Sequence, residues 1–151
     1  IDNLVGFNVT IPHKEAIIPF LSEISDTARA VGAVNTVLRT EAGWRGDNTD
    51  VEGFLTPLKN LTVAKVGEND SSVRDWSSTV AVILGYGGAA RAVVAGCAQL
   101  GCAEIRIVGR DPKKLKHFLK SWRKSDWKMN LSGHLWEELP PDLISQAGLL
   151  V

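Results

Sequence analysis

The stretch TVAVILGYGGAARAVVAGCAQLG, residues 79–101, limits the folds open to this chain more than any other. Its first half is an uninterrupted β-branched and aliphatic run, the pattern of a strand covered on both faces. Its second half repeats Ala90, Val93, Val94, Cys97 and Leu100 at helical spacing, and Gly101 is placed to stop the helix. Between them Gly85-Tyr86-Gly87-Gly88-Ala89-Ala90 fits G-x-G-x-x-[G/A]. Gly85 permits the tight turn, Gly87 lets the backbone approach a diphosphate, and Ala90 is small enough for the helix to pack on its sheet. The helix N-terminus then offers unpaired N–H groups to an anion. A glycine triplet alone is compatible with a plain tight turn; flanked by this strand and this helix it predicts nucleotide binding.

The downstream sequence continues the pattern. EIRIVG reads as a second strand, and DPKKLKHFLKSWRK as a second helix with Asp111 as cap and Pro112 in its first turn. Leu115, Phe118, Leu119 and Trp122 share one face of that helix. KMNL, a short WEEL helix and AGLLV suggest two further strands. Alternating strands and helices predict an α/β fold with a parallel, doubly wound, Rossmann-like sheet over residues 80–151.

The end of the second strand selects among nucleotides. An acidic residue there suits a ribose 2′-hydroxyl, whereas arginine suits a 2′-phosphate. The chain reads Gly109-Arg110-Asp111-Pro112-Lys113-Lys114. Arg110, with Lys114 one turn on, favours phosphate and hence NADP. Asp111 opposes it unless it is engaged in capping; Lys116 and Lys120 read as a solvated face.

Upstream, LVGFNVTI looks like a buried strand ending at Pro12, and HKEAII like a short helix starting there and stopped by Pro19. Lys14 would then lie in a first helical turn, where the macrodipole disfavours a cation. SEISDTARAVG offers a helix capped at Ser25 or Asp26 and ended by Gly32. AVNTVLRT and GWRGDN read as strands joined at EAG, and Thr49 with Glu52 forms a capping-box pattern opening another helix. Asp50 is thus either a helix-start residue or a free carboxylate for Lys14. Asn8, Thr10 and Asn35 are polar residues on otherwise apolar strands. The polar stretch 62–79 suggests a boundary, giving a first α/β unit over 1–60, a linker over 61–79 and the Rossmann-like unit over 80–151.

Composition narrows the partners. The chain has 151 residues with 17 Lys+Arg against 17 Asp+Glu, which gives no support to nucleic-acid or anionic-membrane binding. No apolar run reaches the roughly 20 residues of a membrane span. Cys97 and Cys102 read as reduced, packed thiols of a cytoplasmic protein, and the three scattered histidines indicate no metal site. A start at Ile1 and a stop within AGLLV read as a piece of a longer protein.

Four motifs in order, Asn8-Val-Thr-Ile-Pro-His-Lys14, Gly32-Ala-Val-Asn-Thr36, Gly46-Asp-Asn-Thr-Asp50 and the glycine turn at 85–90, resemble the shikimate dehydrogenase family over almost the whole chain. The resemblance implies an N-terminal substrate domain joined to an NADP-binding Rossmann domain, interconverting 3-dehydroshikimate and shikimate in aromatic amino-acid biosynthesis. It implies that Lys14 and Asp50 are the catalytic pair and that Asn8, Thr10 and Asn35 bind substrate hydroxyls. It further implies that Gly85, Tyr86, Gly87, Gly88 and Ala89 cradle the diphosphate, that Arg110 with Lys114 meets the 2′-phosphate, and that the protein is a monomer or homodimer. Tyr86 stands where the family has a small residue, and Gly109 and Asp111 flank Arg110 in place of Asn and Thr. The neighbouring readings are a quinate/shikimate dehydrogenase using NAD and NADP, and a non-catalytic nucleotide-binding relative.

Overall fold

The computed structural model describes residues 3–59, 62–64, 71–123 and 127–151. Two four-stranded sheets carry the architecture. The first is mixed and holds β1 (Gly6–Asn8), β2 (Glu23–Ile24), β3 (Thr36–Thr40) and β4 (Gly43–Asp47) in the order β1-β3-β4-β2. The β3–β4 hairpin turns at Glu41-Ala42, as expected from EAG. Helix α1 (Asp26–Val31) precedes β3; Ser25 caps it by accepting from the Ala28 N–H, and left-handed Gly32 ends it.

Helix α2 (Asp50–Lys59) leads out of this unit. A narrow antiparallel ribbon, β5 (Thr62–Ala64) with β6 (Ser71–Val73), lies within the 61–79 stretch read as a linker, of which residues 61 and 65–70 lie outside the described residues. Then come β7 (Val80–Leu84), α3 (Gly88–Leu100), β8 (Glu104–Gly109), α4 (Pro112–Trp122), β9 (Leu131–Leu135) and β10 (Leu149–Leu150). They form an all-parallel sheet in the order β10-β7-β8-β9, the predicted doubly wound arrangement. The third strand lies at LSGHL rather than KMNL, so only Leu131 of the expected segment belongs to it.

Two upstream expectations need correction. LVGFNVTI forms only the three-residue β1, with Leu4, Val5 and Phe7 exposed and Val9 alone buried. Residues 12–17 make no α-helix: successive turns run to a 3-10 turn at Ile18–Phe20 that contains Pro19. Pro19 lacks an N–H and disfavours helical backbone at Ile18, so the turns do not continue into an α-helix. Lys14 therefore does not sit at a helix start, and the dipole argument does not apply to it.

The core is continuous between the two sheets. Val31, Ala33, Val51 and Leu55 of the first part join Ala81, Ile83, Val94, Ile105 and Ile107 of the second in one apolar cluster. Helices α2 and α3 approach closely at Gly96, where any side chain would strike the Phe54 ring. A second cluster (Val9, Ala28, Val34, Val37) fills the first sheet, and a third (Val82, Val108, Leu143) lies on the other face of the parallel sheet. Cys97 and Cys102 are free and buried. The adjacent Cys102 thiol, and then burial, push the Cys97 thiol up from its ordinary range.

Candidate functional site

Backbone bonds from the first sheet bring three polar residues together. Asn35 lies in the lead-in to β3, with its carbonyl accepting from Val9 N–H at 2.8 Å and its own N–H donating to Asp47 O at 3.0 Å. One residue earlier, Val34 N–H donates to Lys14 O at 2.7 Å. Lys14 is thereby held beside Asn35 although no helix carries it. Asp50 arrives from the other side as the first residue of α2.

Their side chains form a chain of contacts. Lys14 Nζ donates to Asp50 Oδ2 at 2.5 Å, and the two side chains are 15% and 31% exposed. The other carboxylate oxygen, Oδ1, accepts from Asn35 Nδ2 at 2.7 Å. Asn35 Nδ2 also donates to Thr49 Oγ1 at 2.9 Å, while its Oδ1 accepts from Thr49 N–H and Thr36 Oγ1. All four hydrogen-bonding positions of that amide are engaged. Asn35 would reach a substrate hydroxyl only by exchanging one of these bonds. Its buried amide orients Asp50, and Asp50 in turn orients the ammonium.

The capping expectation for α2 is corrected here. Thr49 is turned toward Asn35, and Asn48 caps instead, its Oδ1 accepting from Asp50 N–H at 3.1 Å and Val51 N–H at 3.3 Å. Glu52 closes no box; its carboxylate meets Thr56 and Lys59. Asn48 was legible as a helix cap by residue type, since Asn caps as well as Thr or better. Asp47 accepts from Ser25 Oγ at 2.5 Å and from Asn48 N–H, so its role lies in the β4–α2 corner.

Lys14 then meets the glycine turn. A Cβ on Gly88 would lie 3.1 Å from Lys14 Cδ, so the absent side chain there is what admits the lysine stem. A cleft of about 440 Å³ is lined by Thr10, Ile11, Pro12, Lys14 and Glu15 on one side and by Leu84, Gly85 and Gly87 to Ala90 on the other. Asn8 lies off this cleft, in register with Thr36 on the exposed edge of β1.

The turn fits a diphosphate. Gly85 has φ 119°, a conformation that disfavours side chains, and the space above Gly85 and Gly87 is open to 4 Å. Helix α3 begins with Gly87 as N-cap and no capping side chain, so its first-turn N–H groups face outward for an anion. A neighbouring cleft of about 640 Å³ is walled by Tyr86, Val108, Gly109, Arg110 and Trp136. Asp111 is engaged in capping α4, accepting from Lys113 N–H and Lys114 N–H at 2.8 and 3.0 Å. Lys114 lines an adjoining hollow with Lys113, His117, Arg91 and Glu15, and Tyr86 lines both.

Arg91 was missed in the sequence, where it reads as one charge on an apolar helix. It is buried, donating from Nη1 to Val31 O and from Nη2 to Ser121 Oγ, each at 3.0 Å. Its Nε lies 3.4 Å from Glu15 Oε1, outside hydrogen-bond geometry, and its guanidinium stands over the Phe118 and Trp122 rings. One side chain thus ties α1, the Lys14 loop and α4 together. Among the described residues no cluster of three or more His, Cys, Asp or Glu could hold a metal ion, and no helix is long and apolar enough to cross a membrane.

A parallel doubly wound sheet with an open glycine turn, faced by a lysine–carboxylate pair from the chain's first part, defines the class: two-part α/β proteins built on a Rossmann-like nucleotide fold. Comparison with known proteins narrows the class. Residues 2–37 match the shikimate dehydrogenase substrate binding domain. The chain is 57% identical over 148 residues to a protein of Nostoc sp. named shikimate dehydrogenase (NADP(+)), covering 98% of this chain and 47% of that protein. It superposes on the crystal structure of shikimate dehydrogenase from Aquifex aeolicus with TM-score 0.74 and 30% identity, covering 97% of this chain and 47% of that one. The ligand-free 5-ketofructose reductase of Gluconobacter sp. strain CHM43 is also similar, with TM-score 0.70, 34% identity, and 99% and 49% coverage. This chain belongs to the shikimate dehydrogenase family. It spans about half the length of the curated relatives it matches.

Proposed function

We propose that the protein is an NADP-dependent shikimate dehydrogenase, reducing 3-dehydroshikimate reversibly to shikimate, with residues 1–60 serving the substrate and 80–151 the cofactor. The observation that carries this reading is the Lys14–Asp50 bond at 2.5 Å, placed with Lys14 against Gly88 of the glycine turn. A carbonyl reduced to an alcohol needs a proton at the developing alkoxide, and a positioned ammonium supplies it. Lys14 gives that proton in reduction and takes it back in oxidation. Asp50 holds the ammonium in place and balances its charge.

NADP, when bound, supplies or accepts the hydride. Gly85, Gly87, Gly88, Ala89 and the start of α3 would hold its diphosphate, and Arg110 its 2′-phosphate, to which a guanidinium can donate two charge-assisted bonds. Thr10, on the cleft wall beside Lys14, is assigned to a substrate hydroxyl, and Asn35 to a second through exchange of one of its bonds to Asp50 or Thr49. Steady-state kinetics of the full-length protein test the reading. Shikimate oxidation with NADP⁺ is expected to be more efficient than quinate oxidation or than shikimate oxidation with NAD⁺. Preferential turnover of quinate, or reduction of 5-ketofructose in place of 3-dehydroshikimate, would reject the substrate assignment.

A further inference from the structure

Tyr86 lines two adjoining hollows beside the end of β8. Its ring packs on Gly109 so closely that a Cβ at that position would lie inside the ring edge. Its hydroxyl accepts from Asp111 N–H at 3.3 Å, fixing the backbone on the far side of Arg110. The same ring walls both hollows: the larger one with Arg110 and Trp136, and the smaller one with Lys113, Lys114, His117 and Arg91. Gly109 and Asp111 flank Arg110 directly, so both of its neighbours in the chain are held by one side chain.

We propose that Tyr86 is a specificity-determining residue: by clamping Gly109 and Asp111 it presents Arg110 alone to the 2′-phosphate and screens Lys114 from it. The inference rests on the NADP reading above and refines it. A 2′-phosphate is distinguished from a hydroxyl by charge-assisted bonds whose geometry must be set before binding. Arg110 is exposed on a short turn, and without the clamp it would have to be ordered at the moment of binding. Gly109 is the partner of Tyr86 in this arrangement, since any side chain there evicts the ring.

Calorimetric binding of 2′,5′-ADP and 5′-AMP to the full-length protein tests this without turnover. The ratio of their affinities reports the 2′-phosphate contact. The parent is expected to prefer 2′,5′-ADP by more than about tenfold, and Arg110→Ala to abolish most of that preference. Tyr86→Phe keeps the ring and should lower the ratio about fivefold, the size of one neutral hydrogen bond. Tyr86→Ala should lower it further, and Lys114→Ala should leave it within about twofold of the parent. Gly109→Ala should reduce the ratio, and Gly109→Ala combined with Tyr86→Ala should cost less than the two single changes summed, because the collision is gone. A parent without preference would overturn the NADP reading and this inference with it. A parent with preference that Tyr86→Phe and Tyr86→Ala both leave unchanged, or that Lys114→Ala lowers as much as Arg110→Ala, overturns the inference alone.

Discussion

Lys14 and Asp50, 36 positions apart in sequence, meet through a 2.5 Å bond in which each carboxylate oxygen of Asp50 has its own donor, Lys14 on one and Asn35 on the other. The ammonium is therefore held at a defined point, with its stem against Gly88 of the glycine turn. Replacing Lys14 by Ala in the full-length protein is expected to lower kcat by at least about 10²-fold, the usual size of a general acid–base contribution. KM for shikimate should change far less. A variant turning over at near-parent rate would remove Lys14 from the chemistry.

Asp50→Asn separates orientation from helix capping. Asn48 supplies the cap of α2, so the substitution should leave the melting temperature close to that of the parent. The neutral amide carries no charge to balance the ammonium and has one acceptor oxygen for two donors, and kcat should fall by about 10²-fold or more. Thermal melts and kinetics on one preparation decide it; a large loss of stability with intact turnover would assign Asp50 to the fold.

Asn35→Ala should affect both properties. It strips Asp50 Oδ1 of a donor and leaves Thr49 N–H without its acceptor in a site where Asn35 is 8% exposed. Unsatisfied groups of this kind cost about 1–3 kcal/mol each. Urea unfolding should show the midpoint shift, and kcat should fall together with it because Asp50 loses its second anchor. A pure rise in KM, with stability and kcat unchanged, would mean that Asn35 serves the substrate only.

Arg91→Met retains much of the side-chain stem against Phe118 and Trp122 and removes the bonds to Val31 O and Ser121 Oγ. Hydrogen bonds from a charged donor contribute about 1.5–3 kcal/mol each, part of which better apolar packing offsets. A net loss of about 2–4 kcal/mol is expected, read from the urea midpoint at unchanged slope. A loss below about 1 kcal/mol would show that packing on the two rings, rather than the polar tether, is what Arg91 contributes.

Acid should weaken β8 through Glu104. Its hydrogen bond to Arg106, 2.8 Å away, holds its carboxyl below the ordinary value of 4.5. A carboxylate with a lowered folded-state pKa stabilises the fold above its unfolded value, and that contribution is lost as pH falls through the folded value. The melting-temperature gap between the parent and Glu104→Gln should therefore be full at neutral pH. It should close progressively below about pH 4.5. A gap independent of pH would mean that the pair is not titrating with the fold.

Local chemistry was legible in the sequence wherever one segment sufficed to define it. The β7–turn–α3 unit follows from a β-branched run, three glycines and a helical repeat, all within the 23 residues 79–101. Asp111 as cap follows from residue type beside a periodic segment and holds, and of the Ser25 and Asp26 alternatives the structure takes Ser25. The Lys14 segment failed by the same logic: a Pro-started helix was expected, but between Pro12 and Pro19 the chain prefers turns, and the lysine is placed by a backbone bond to Val34.

By itself, then, the sequence determined the alternation of elements, the open glycine turn and the types of residue available for chemistry, because propensity, period and capping act over one or two turns of chain. Tertiary structure alone decided how those residues are used. It divided Asp50 between Lys14 and Asn35, turned Thr49 from cap to network, and set Tyr86 against Gly109 and Asp111. Such choices depend on which groups the sheets bring within about 3 Å, and hydrogen bonds fall off too steeply with distance and angle for sequence spacing to foretell them.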